Sequence, residues 1–180
     1  MEVIEISVPY TGTNFLAKLF TDRGFHRVSM VEEVHQKGDI LRVAHCIKPT
    51  QVDPALRYVK SGLPLVLPCR HPFRVQESYI RKGDGNHVDV MIEAFETLIT
   101  KFAPLTENIL CVDSERLEWQ LSRMRRNLGL DLKTYWPVVA SKSDTWRADL
   151  SEFSPTNDVI DLVDRHKEFF NQFYCGKTSR

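Results

Sequence analysis

The chain has 180 residues, 42% of them hydrophobic and 27% charged, and its formal net charge is zero. That length suits a single well-buried domain over 1–180 and is short for two. The charge balance excludes bulk binding to nucleic acid or to an anionic membrane, both of which depend on an excess of Lys and Arg. No apolar run approaches the roughly 20 residues needed to cross a bilayer, and the start lacks the basic and apolar segments of a secretory signal, so a cytoplasmic protein is expected.

In chain order, the first strand is expected over 2–8, where Val3, Ile4, Ile6 and Val8 are β-branched and Pro9 stops the run. A short Thr/Gly turn follows, and Asn14 leads into Phe15, Leu16, Leu19 and Phe20 at helical spacing. Strands are then expected over 26–31, 39–46, 63–69 and 108–113, with helical spacing in several of the intervals. One helix is expected over 87–103, with Val88, Met91, Phe95, Leu98 and Phe102 on one stripe. Another is expected over 114–128, closed by Gly129, and a last one over 155–173, with Ser154 as its cap and Pro155 in its first turn. The polar, two-glycine stretch 81–87 is expected to be a mobile loop. Strands alternating with helices give an α/β class: a mostly parallel sheet of about five strands with helices on both faces.

The four cysteines, Cys46, Cys69, Cys111 and Cys175, form no C-x-x-C or Cys/His pattern, so buried reduced thiols are expected and no metal. A Cys46/His45 nucleophile is disfavoured, because adjacent strand residues point to opposite faces.

Ligands of open α/β sheets bind beyond the carboxyl ends of the strands. Beyond the first strand lie Tyr10, Thr11, Gly12, Thr13 and Asn14, in a strand–turn–helix that aims N–H groups at one spot, as phosphate sites do. The phosphate-loop pattern G-x-x-x-x-G-K-[ST] is absent, which counts against a kinase. The third strand ends at His45, with Lys48 three residues on, and the fourth leads to Arg70, with Ser78 and Tyr79 further along. Hydroxyls, a histidine and an arginine at one sheet edge describe an anion site with a general base.

These segments together resemble the cytosolic-type sulfotransferases that use 3′-phosphoadenosine 5′-phosphosulfate (PAPS). "PYTGTNFL" is similar to that family's 5′-phosphosulfate loop, P-K-S-G-T-T-W-L, with Tyr10 in the place of its lysine. "RVAHCIKP" resembles the strand ending in the catalytic histidine. "CRHPFRVQESYIRKG" resembles the 3′-phosphate motif, in which an arginine and a serine eight residues later hold the phosphate. "NILCVDSERLEWQLSRMRRNLGLD" resembles a later strand and helix, so that the similarity spans residues 3 to 131. The resemblance implies a phosphate-loop-like fold and transfer of a sulfuryl group to a small-molecule or carbohydrate acceptor bearing a hydroxyl or amine. It implies PAPS and its product 3′-phosphoadenosine 5′-phosphate (PAP) as the nucleotides, without metal. His45 becomes the base, and Lys48 a substitute for the missing loop cation. Arg70 and Ser78 become the 3′-phosphate holders. Lys142 and Arg147, near Trp146, become further contacts to that phosphate. The alternative is a non-catalytic module that keeps the nucleotide pocket.

Overall fold

The computed structural model describes residues 1–34, 37–132 and 153–174. Five strands form one sheet: β1 (Glu2–Ser7), β2 (His26–Ser29), β3 (Ile40–His45), β4 (Leu65–Cys69) and β5 (Ile109–Cys111), in the order β2-β3-β1-β4-β5. Every pairing is parallel, which makes the sheet more uniform than the mostly parallel one expected. The helices are α1 (Thr13–Thr21), α2 (Pro49–Lys60), α3 (Pro72–Arg81), α4 (Val88–Thr97), α5 (Leu117–Leu128), α6 (Asn157–Arg165) and α7 (Lys167–Asn171).

Alternation along β1 divides the core. Val3 packs with Leu16 and Phe20 of α1 and Leu121 and Met124 of α5. Ile4, Ile6 and Val8 pack on the other face with Val52 of α2, Val75 of α3, Phe95 of α4 and Phe170 of α7. Helices therefore cover both faces, and burial of a side chain such as Phe95, fully enclosed, contributes about 1.5–3 kcal/mol. The chain leaves β1 through α1 on one face and leaves β3 and β4 through α2 and α3 on the other. At the carboxyl edge, the ends of these strands thus diverge around β1, the position where such sheets form a binding crevice.

Some elements differ from their expected form. The segment expected as one helix over 87–103 is α4 followed by a π turn (Leu98–Phe102) and a 3-10 turn (Ala103–Leu105); Pro104 has no N–H with which to extend an α-helix. The last helix starts at Asn157, not at Pro155, and Thr156 instead of Ser154 stands at its N-cap. Gln76 accounts for this: its amide donates to Thr156 Oγ1 at 2.9 Å and its Oε1 accepts from Thr156 N at 3.2 Å, holding that residue extended. The helix also breaks at His166, whose ring nitrogen meets Glu96 at 2.5 Å, so that α6 and α7 are separate. The 81–87 stretch contains a 3-10 turn (Gly85–His87) and is anchored through Asp84, as described below. Gly129 closes α5 in the left-handed conformation, as its position suggests. Among the described residues no helix is long and apolar enough to cross a membrane.

Candidate functional site at the carboxyl edge of the sheet

The turn after β1 is built by its own side chains. Thr11 donates twice to the Val8 carbonyl, from its N–H at 3.3 Å and from its hydroxyl at 2.6 Å. Its hydroxyl hydrogen therefore closes the turn. Gly12 caps α1 with φ 99°, and a Cβ there would lie 2.6 Å from Val112 Cγ1. Only glycine meets both conditions. The N–H groups of Gly12, Thr13, Asn14 and Phe15 meet no acceptor among the described residues, as the first turn of a helix leaves them. The Thr13 hydroxyl is buried and likewise without a partner among the described residues. Asn14 is exposed, and its Oδ1 accepts from Arg27 Nη1 at 3.3 Å.

Tyr10 adopts φ 66°, a left-handed conformation that side chains other than glycine rarely take. Its ring packs edge-on against Tyr79 with centroids 5.0 Å apart, and its hydroxyl donates to Asp84 Oδ2 at 2.7 Å. That hydrogen bond pushes the Tyr10 phenol above its ordinary range. The hydroxyl is thus committed to Asp84, and Tyr10 braces the 81–87 stretch against the loop.

His45 ends β3 beside Ser7, its register partner on β1. Ser7 Oγ and His45 Nδ1 are 3.0 Å apart, and Gln51 Oε1 accepts from the His45 N–H at 2.9 Å. Partial burial lowers the imidazole pKa from 6.5, and the charges of Lys48 and Arg27 lower it further. The ring is therefore neutral at pH 7 and able to accept a proton. Lys48 is exposed at the start of α2, and its N–H donates to the His45 carbonyl at 2.9 Å. Its cationic head acts on His45, and it makes no hydrogen bond to the β1 loop among the described residues.

Arg70, directly after β4, meets Ser78 of α3: Arg70 Nη1 donates to Ser78 Oγ at 2.9 Å. Ser78 in turn donates to the Arg74 carbonyl at 3.0 Å. Burial lowers the Arg70 pKa while Asp113 opposes that shift, which places a carboxylate near this guanidinium. Asp113 accepts from the Tyr174 hydroxyl at 2.5 Å and from the His71 N–H at 3.2 Å. Lys142, Arg147 and Trp146 lie outside the described residues.

Sequence reasoning passed over Ser7, Asp84 and Asp113. For Ser7 a signal existed: in "EVIEISV" the polar Glu5 and Ser7 interrupt one face of a strand buried on both sides. Asp84 and Asp113 carried none, because their partners are 74 and 61 positions away.

Cys46, Cys69 and Cys111 are free and buried. Burial pushes the Cys46 thiol up to about 12, which makes it a poor nucleophile. Among the described residues no group of three or more His, Cys, Asp or Glu gathers into a metal site. A cleft of about 330 Å³ lies between α2 and α4, directly after His45 in the chain, lined in part by Cys46, Ile47, Val52, Asp53 and Glu93. A larger cavity of about 930 Å³, beside Arg42 and Tyr58, shares no residue with these loops. Comparison with protein-family models, curated proteins and solved structures finds no match for the chain.

Proposed function

We propose that the protein is a sulfotransferase-like enzyme of phosphate-loop architecture that binds PAPS at the carboxyl edge of its sheet and passes the sulfuryl group to a hydroxyl or amine acceptor. The observation that carries this reading is what lies at that edge: N–H groups at the start of α1 that meet no acceptor among the described residues, a neutral His45, and the Arg70–Ser78 pair. The free N–H groups suit the 5′-phosphosulfate, whose charge the α1 N-terminus stabilises. Arg70 and Ser78 suit the 3′-phosphate, through a planar guanidinium fork and a hydroxyl.

In the reaction, the acceptor oxygen or nitrogen forms a bond to sulfur. The bond from sulfur to the phosphate oxygen breaks, and PAP leaves with that electron pair. The acceptor proton goes to His45. For Nε2 to take it, Nδ1 must carry a hydrogen and donate it to Ser7 Oγ, while the Ser7 hydroxyl turns toward the Ala44 carbonyl, 3.5 Å away. Ser7 thereby selects the tautomer. Partial burial, and after it the charge of Lys48, favours the unprotonated imidazole beforehand, and Lys48 adds positive charge to this edge.

Tyr10 favours a second reading, a module that binds PAP without turnover, because its hydroxyl is held by Asp84 and the loop itself supplies no cation. Calorimetric titration with PAP and with ADP, repeated on Arg70→Ala, tests the donor site. We expect metal-independent preference for PAP, lost in the variant. Equal affinity for ADP, or retained preference in Arg70→Ala, refutes it. Incubation with PAPS and an acceptor panel then separates enzyme from module.

A further inference from the structure

The brace between Tyr10 and Asp84 joins the anion loop to the segment after α3. It places a carboxylate one tyrosine side chain away from the turn that opens onto the start of α1. Tyr10 packs on Tyr79 of α3, the helix that also carries Ser78, the partner of Arg70. Two features hold it there. Tyr10 keeps a left-handed backbone, φ 66°, which the structure retains despite its cost. The Asp84 N–H donates to the Tyr79 carbonyl at 2.8 Å, which fixes the backbone that carries the carboxylate. Lys82, two residues away, bears the opposite charge, but it is exposed and pairs with neither Tyr10 nor Asp84 among the described residues.

A fixed negative charge beside an anion-binding turn opposes part of what that turn is built to do. Its effect depends on how much charge the ligand brings. A terminal sulfonate carries one negative charge. A terminal phosphate of the same shape carries about two near neutral pH, because its second ionisation falls near pH 6. We infer that Asp84, held against the anion loop by Tyr10, is a specificity-determining residue that favours a singly charged sulfonate over a doubly charged terminal phosphate on the bound nucleotide. The inference rests on the donor-site reading above and adds to it a reason for selecting phosphosulfate over diphosphate. The additional unit charge of the phosphate is repelled by the carboxylate, so the diphosphate is expected to be held the more weakly of the two.

The test compares two nucleotides of equal shape, PAPS without acceptor and 3′-phosphoadenosine 5′-diphosphate, by equilibrium titration at pH 7.5. The wild-type protein is expected to prefer PAPS, and Asp84→Asn to reduce that preference about fivefold, chiefly by tightening the diphosphate. Tyr10→Phe, which keeps the ring on Tyr79 but frees Asp84, is expected to move the ratio the same way by less. Asp89→Asn, an exposed carboxylate in the first turn of α4, is expected to leave it unchanged. If both nucleotides bind and Asp84→Asn leaves the ratio within twofold of wild type, the inference is overturned while the donor site stands. If neither nucleotide binds the wild-type protein, the donor-site reading fails and the inference with it.

Discussion

Glu5 lies in the middle of the central strand, between Val43 of β3 and Val66 of β4, and is fully buried. Neither carboxyl oxygen has a hydrogen-bond partner among the described residues. Burial raises its pKa from 4.5 to about 8, with the charge of Arg27 opposing the rise. In the unfolded chain the same group ionises near 4.5. Below that pH both states hold the proton and the group costs the fold no ionisation energy. Between the two values only the unfolded state ionises, so stability falls by about 1.4 kcal/mol per pH unit. The loss amounts to about 3 kcal/mol by pH 7 and about 4–5 kcal/mol above pH 8, where the folded state also ionises and the curve flattens.

Glu5→Gln keeps the shape and removes the titration. Urea unfolding of wild type and variant at matched pH values from 5 to 9 should give a difference that grows with pH in favour of the variant, and most steeply below pH 8. The slope is the informative quantity, since the buried amide carries its own constant cost. A difference that stays flat across this range would mean that Glu5 ionises normally, and the burial argument would fail.

Gly12→Ala should destabilise the protein by roughly 2–4 kcal/mol in urea unfolding, from the positive φ and the overlap with Val112. Gly12→Ala with Val112→Ala should recover part of that loss, and purely additive effects would refute the contact. If His45 is the base, the acid limb of the turnover profile should fall below pH 6.5, and Lys48→Ala should move it to higher pH by removing a charge that lowers the His45 pKa. An acid limb unmoved in Lys48→Ala would remove Lys48 from the site.

The strands and most helices were legible because their signals are local. The β-branched run before Pro9 and the stripe through Met91, Phe95 and Leu98 report a period, and period decides strand or helix. The Arg70–Ser78 pair was singled out only by its resemblance to a family motif, because Arg70 stands before α3 and no helical period links it to Ser78. The Ser7–His45 contact depends on register between β1 and β3, which no single segment encodes. The Tyr10–Asp84 brace depends on where a loop returns after a whole helix. The break at His166 depends on Glu96, a residue of α4 some 70 positions away.

The departures from local rules are concentrated along one short path, and that concentration bears on function. β1 is buried from Val3 to Ser7, yet it carries Glu5, without a partner among the described residues, and Ser7 on the same face. The turn that follows holds two left-handed residues, Tyr10 and Gly12, and then a helix start whose N–H groups meet no acceptor among the described residues. Each of these features costs stability in isolation, and a sequence under selection for stability alone would replace Glu5 with Val or Leu. Costs of this kind persist where geometry is needed for something other than folding. They lead from the centre of β1, past Ser7 beside His45, to the turn that Asp84 braces through Tyr10, at the carboxyl edge where the proposed site lies.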